Sequence, residues 1–326
     1  MKHLQKMGAL ICVTVSTLAL AAPPPDKGGG GKGGGNGGTD PTATFQPEFG
    51  GVRIGGRNKT DQFILKNRDG SIEVVAHEAP SIQAIDLSPD SAALIAYFND
   101  NAIYLQSWSA DPTFTVSSVD LAYANPRGLG PPSFSPDGKR MAFLEIAENN
   151  KVVVSVCDID PVDRDCATVS SDSVFTQWKL NYVHFHPDSN NHVVISAKEL
   201  GVVDDRVYVH ELGSGSAPSG PLNHEVTGFD DVGPSHGSSP PLLVTNTAGV
   251  PRFFSLEDGS EQFRSFSGVG YGYRFNCSSD AVLYLETGSG GPTLSVAQLD
   301  GASEKLGGKG WNINRGHDWI HKTDCP

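Results

Sequence analysis

Polar side chains that could do chemistry stand at recurring places in this chain. Asp86, Ser133, His184, Arg274 and Asp318 each precede a short turn at one shared offset, and His186 and His236 share a second position two residues on. Imidazoles and carboxylates gathered around one axis could hold a transition metal, which would then polarise a bound substrate. Without a metal the same groups form a hydrated polar lining. The acidic run Asp158, Asp160, Asp163 and Asp165 offers the oxygen ligands that Ca²⁺ takes. It lacks the glycine and terminal glutamate of an EF-hand loop, so a solvated hairpin tip is expected. Arg127 in NPRGLGPP and Tyr271 and Tyr273 in GVGYGY are of the types enriched at binding hot spots. His77-Glu78 and His224-Glu225 recur as pairs after outer strands and could frame a rim.

The elements that position these groups are strands. Runs such as QFILKN, ALIAYF, RMAFLEI, KVVVSV, HVVISA and AVLYLE lie between clusters of Gly, Pro, Asn, Asp and Ser. No stretch keeps a helical period over three turns, which predicts an all-β chain. The turns themselves repeat. FSPDG at 134–138 has partners in LSPDS at 87–91 and FHPDS at 185–189, with a weaker copy, FNCSSD, from Phe275. SHGSSPPLLVT from Ser235 keeps the turn composition and the following strand. With Pro89, Pro136, Pro187, Gly237 and Cys277 taken as equivalent, the steps are 47, 51, 50 and 40 residues. A period in the forties with four strands per unit is the signature of propeller blades. Proline fixes φ, aspartate bonds the backbone ahead, and Gly or Ser lets the turn close. The serine of FSPDG is therefore structural.

Five corners predict five blades, and the two ends supply a sixth. GWNINRGHDWIH is an inner strand without partners, whereas GGVRIGG, DQFILKN and SIEVVAHE are three strands without an inner one. Joined, they close the ring and remove its open edges. The expected fold is an all-β, six-bladed propeller closed by one C-terminal and three N-terminal strands, spanning 47–326.

Residues 1–21 have a basic start in Lys2 and Lys6, an apolar stretch from Leu10 to Leu20 and the small-x-small sequence Ala19-Leu20-Ala21. That is a secretory signal, too short to span a bilayer stably. Residues 22–46 are rich in Gly and Pro and offer little to bury, so a flexible tether is expected. Without Lys2 and Lys6 the chain holds 22 basic and 37 acidic residues, a net of −15. Such a surface disfavours nucleic acid and anionic lipid. In an exported chain an even number of cysteines reads as disulfides. Cys157 and Cys166 bracket the acidic loop, which leaves Cys277 for Cys325.

The units FILKNRDGSIEVVAHEAPSIQAIDLSPDSAALIAYF and PPSFSPDGKRMAFLEI resemble TolB-type propeller repeats over roughly residues 50–321. TolB itself is an exported, periplasmic propeller that binds other proteins, with an α/β domain ahead of the propeller; the Gly-rich stretch holds that place here. Similar propellers cap prolyl-peptidase-type hydrolases, but this sequence has no G-x-S-x-G nucleophile elbow. The resemblance implies a periplasmic or secreted, non-catalytic monomer with no inserted membrane segment, which binds a protein or peptide at its channel mouth. Asp86, Arg127, His184, His186, His236, Arg274 and Asp318 are its candidate contacts, and no resident cofactor is expected. The alternative is a metal-dependent lyase or hydrolase of carbohydrates or small molecules, using channel histidines and carboxylates with Ca²⁺ or a transition metal.

Overall fold

In a computed structural model, residues 49–53, 60–66, 73–79, 81–89, 94–99, 101–109, 115–160, 162–172, 178–199, 201–218, 220–264, 266, 269–286, 292–299, 301, 303–307 and 317–319 are described. All lie within the unit Thr44–Pro326. The expected signal and tether, and Cys325, lie outside the described residues.

Strand sequence follows position in the sheet. Arg140–Ile146 and Val152–Ile159 are buried through their middles on both faces, because a sheet packs on each side of them. They therefore read as unbroken apolar runs rather than alternating ones. Cys166–Asp172 lies at the sheet edge and is mostly exposed, and its sequence, CATVSSD, is correspondingly polar.

The strands form a six-bladed β-propeller. Blade 1 holds Ala84–Leu87, Leu94–Asn99, Ala102–Ser109, Thr115–Val116 and Asp120–Ala124. Blade 2 holds Ser133–Phe134, Arg140–Ile146, Val152–Ile159 and Cys166–Asp172. Blade 3 is built from Trp178–Phe185, His192–Glu199 and Arg206–Glu211. Blade 4 runs Asp231–Gly233, Leu242–Thr247, Val250–Ser255 and Glu261–Gln262. Gly270–Phe275, Ala281–Glu286, Thr293–Gln298 and Ser303–Gly307 make blade 5. In blade 6, His317–Trp319 pairs antiparallel with Phe49–Arg53, followed by Asp61–Lys66 and Glu73–Ala79.

Among the described residues six apolar clusters fill the six boundaries between neighbouring blades. Val52, Phe63 and Leu65 of blade 6 pack on Ile85 and Tyr97 of blade 1. Ile64 and Trp319 of blade 6 pack with Leu283 and Val296 of blade 5. Apolar burial, the dominant favourable contribution to folding, therefore runs right around the ring.

The corner of blade 2 shows why its residues are specific. Asp137 Oδ1 accepts from Ser135 Oγ at 2.6 Å and from the Lys139 amide at 3.2 Å. Gly138 closes the turn at φ +67°. Corners also bond sideways: the Ser235 amide donates to the Asp188 carboxylate of blade 3 at 3.1 Å, and Ser279 Oγ donates to the Pro234 carbonyl at 2.7 Å.

One register differs from expectation. The inner strand of blade 4 is Asp231–Gly233, so its corner proline is Pro234 and not a residue aligned on Gly237. Asp231 takes the place held by Asp86, Ser133, His184 and Arg274. His236 falls in the following turn, bridged to Ser239, and does not share a position with His186. The run Ser235-His236-Gly237-Ser238-Ser239 has a corner's turn composition but lies in the loop after the true corner.

Candidate functional site

The inner strands of blades 1 to 5 put one polar residue each, Asp86, Ser133, His184, Asp231 and Arg274, at the waist of the channel, and three of these fasten blade to blade. Asp86 Oδ2 accepts the Phe134 amide at 2.7 Å, Ser133 Oγ accepts the Phe185 amide at 3.2 Å, and Asp231 Oδ2 accepts the Phe275 amide at 2.8 Å. At the last boundary Trp319 Nε1 donates to the Arg274 carbonyl at 3.0 Å. Asp231 is 3% exposed at its side chain and also faces two cations or potential cations. His184 Nε2 lies 3.5 Å from its Oδ1, and the Arg274 guanidinium 3.4 Å. His184 Nδ1 meets the Phe185 carbonyl at 2.9 Å.

Two cavities open from this waist, and Asp86 lines both. The cavity on the corner side, about 210 Å³, is an apolar funnel. Leu87, Phe134, Phe185, Val232 and Phe275 make its inner ring, one from each of blades 1 to 5. Pro89, Pro136, Pro187, Pro234 and Cys277 make the outer ring at the next equivalent position. The rings follow from sequence: in blades 1 to 4 the apolar residue and the corner proline stand one and three places after the waist residue, and in blade 5 Cys277 takes the proline's place. Between Val232 and Pro234 only glycine fits, because a Cβ at Gly233 would run into Ser279 Oγ and lie 2.6 Å from the Phe275 ring.

The second cavity, about 380 Å³, opens at the N-terminal ends of the inner strands. Tyr182, Phe229, Asp230, Tyr271 and Arg274 line it with Asp86. Burial raises the Asp230 carboxyl, while the Tyr273 amide and Arg274 pull it the other way. Burial likewise raises the Tyr182 phenol.

Of the candidate contacts, the structure brings Asp86, His184 and Arg274 together at the waist. The histidines do not converge. His186 sits in the corner of blade 3, where its Nδ1 accepts the Asp188 amide at 3.2 Å and its ring faces His192 at 6.4 Å; burial lowers its pKa. His236 is exposed in its turn, and Arg127 is exposed in a loop held by Asn125. Asp318 is paired with Gly50 in the closing sheet. Among the described residues no three His, Cys, Asp or Glu form a group that could hold a metal. Tyr273 is buried and donates to the Gly249 carbonyl, so it packs the blade rather than meeting a ligand. His77 and Glu78 lie within an outer strand, and the His77 ring packs at a 49° tilt against Tyr97, with centroids 4.8 Å apart.

Cys157 and Cys166 are disulfide-bonded, and they close the acidic loop into a clasp. Asp160 Oδ1 accepts the Val162 and Asp163 amides at 2.7 and 2.9 Å, which pulls its carboxyl below the ordinary range. This turn presents Arg164, which reaches blade 1, forms an ion pair with Asp120 at 2.7 Å and donates to Ser107 Oγ at 3.0 Å and to Ser117 Oγ. The loop thus fastens two blades instead of forming a free tip.

Asp230, Asp231, Tyr182 and Phe229 were not marked by the sequence. The waist pattern, a polar residue and an apolar one followed two places on by proline, was available at Asp231-Val232-Gly233-Pro234.

No protein-family model matches this chain, and no curated protein sequence matches it. Solved structures do. The chain is similar to TolB from Acinetobacter baumannii at 18% identity and a TM-score of 0.64, over 85% of this chain and 67% of that one. It is similar to a TolB from Agrobacterium tumefaciens described as putative, at 14% identity and a TM-score of 0.55, over 83% and 93% of the two chains. A chain of a nidogen/laminin complex matches at 8% identity and a TM-score of 0.51, over 78% and 90%. The fold is a TolB-like six-bladed β-propeller.

Proposed function

We propose that this protein is an exported propeller that binds a protein or peptide at the corner-side mouth of its channel. The observation that carries the reading is the funnel: two stacked rings, apolar and then proline, around a polar waist. Apolar walls with a few fixed polar groups at the base are the usual make-up of a binding cleft, and rigid side chains keep the ordering cost low. A TolB-like fold supports a binding module by analogy, since one fold hosts many functions. The nidogen/laminin match is to a complex between proteins. Among the described residues no helix is long and apolar enough to cross a membrane. The reading takes the module as a monomer of the periplasm or the medium, with no nucleic-acid partner.

Affinity capture from an envelope extract tests this, using the full chain and Pro187→Arg, which places a long cation in the funnel wall. The wild type is expected to retain a partner that the variant loses, with both folded. Equal retention would count against the funnel. Metal analysis of the same preparation bears on the metal-dependent alternative, which rests on the His184–Asp231 pair at 3.5 Å; a stoichiometric metal would favour it.

A further inference from the structure

The cavity opposite the funnel has walls of another kind. Tyr182 and Phe229 stand with ring centroids 5.1 Å apart and a 57° tilt between planes. Tyr271 lines the same space and is 42% exposed, at the rim. Asp86 and Asp230 add two carboxylates. Arg274 is the cation beside them, and it is engaged. It donates to the Asp230 carbonyl and lies 3.4 Å from Asp231. Arg274 also meets the Tyr182 hydroxyl, so the cation in the wall is held by groups of the wall itself. The raised Asp230 carboxyl is that of a buried acid for which nearby positive charge does not offset the loss of water.

Aromatic faces attract cations, and carboxylates supply the countercharge that a desolvated cation needs. We propose that this second mouth is an organic-cation site, taking an alkylammonium or guanidinium group against the Tyr182–Phe229 pair and Tyr271, with Asp230 and Asp86 as counterions. A cavity of about 380 Å³ holds one small cation or one long basic side chain, and not a folded element. Ca²⁺ takes six to eight oxygen ligands; here much of the wall is aromatic carbon. The site lies across Asp86 from the funnel, and it does not depend on a partner binding there.

Calorimetric titration of the full chain tests the assignment with choline, agmatine, acetyl-arginine methylamide and 3,3-dimethyl-1-butanol, the neutral isostere of choline. Saturable binding of at least one cation is expected, with none for the isostere. Tyr271→Ala is expected to weaken it about tenfold and Asp230→Asn by more. Binding of agmatine or choline alone indicates a free small cation; binding of the capped arginine at equal or better affinity indicates a partner's side chain. Pro187→Arg, in the funnel, should leave cation binding unchanged. The assignment is overturned if no cation binds, if the isostere binds as well as choline, or if CaCl₂ displaces every cation. It is also overturned if Tyr271→Ala, exposed and with an unchanged melting temperature, binds as the wild type does.

Discussion

The Phe275 amide donates to Asp231 Oδ2 at 2.8 Å, and this bond joins blade 5 to blade 4 at the channel wall. The same carboxylate faces Arg274 and His184, so a single buried acid ties together three blades. Asp231→Ala would leave a buried amide without its acceptor and a guanidinium without its countercharge. A loss of about 3 kcal/mol in stability to urea is expected. Asp231→Asn keeps an acceptor oxygen and should cost less. Equal losses for the two variants would show that the amide bond matters little.

Much of this fold was legible because its turns are chemically demanding. A proline and an aspartate that caps the backbone ahead are hard to exchange, while the closing position takes Gly138 or Ser189, so FSPDG and its copies mark the period. The corner of blade 4 is hidden because Gly233-Pro234 lacks the aspartate, and the turn-like run around Gly237, just before the next strand, imitates a corner. The site was legible only in part. Asp86, His184 and Arg274 follow from the offset before each corner, but which polar groups face one another depends on contacts between blades some 45 residues apart, such as Trp319 with Arg274. Pattern within a blade carries no sign of them. Tyr182 and Phe229 read as ordinary strand and loop aromatics until neighbouring blades bring their rings together.

The clasp loop makes a claim about coupling. Removing the Cys157–Cys166 bond by reduction or by Ala substitution is expected to cost about 2–3 kcal/mol. Arg164→Ala should cost about 1 kcal/mol, since its partner Asp120 is partly exposed. Because the bond orders the loop that presents Arg164, the two losses should combine to less than their sum in a double-mutant cycle. Strict additivity in urea denaturation would mean that Arg164 docks without the bond.

Glu145 makes stability depend on acidity. Its buried carboxylate accepts from Tyr123 at 2.8 Å, Asn125 at 2.9 Å, Ser171 at 3.1 Å and also Ser155. Burial pushes its pKa up, but the four bonds together hold it below the ordinary value. In the unfolded chain the group takes its proton near pH of about 4.3. As pH falls the unfolded state therefore protonates first. The contribution is complete above that value and is lost as pH falls through the folded pKa. Glu145→Gln is expected to flatten the acid side of the stability profile, read from urea midpoints between about pH 3 and 7. Parallel slopes for the two proteins would contradict this.

The C-terminal strand is expected to hold the ring shut. Trp319 packs on blade 5, and His317–Trp319 pairs with Phe49–Gly51. Deleting residues 310–326 would bare that strand edge and remove a packed indole, for an expected fall of about 10 °C in melting temperature. Cys277 is disulfide-bonded at its corner. Peptide mapping without reduction should recover it linked to Cys325, a closure of about 48 residues worth about 2–4 kcal/mol. A free thiol at Cys325 would refute the pairing.

The central claim is that a protein or peptide seats in the corner-side funnel. A photo-crosslinking amino acid placed in turn at Pro136 and Pro187, on the funnel rim, and at Val203, 81% exposed, locates the contact in an envelope extract. One adduct of defined mass is expected at both rim positions and none at Val203. Adducts of equal yield at all three positions, or none at the rim, would contradict the claim.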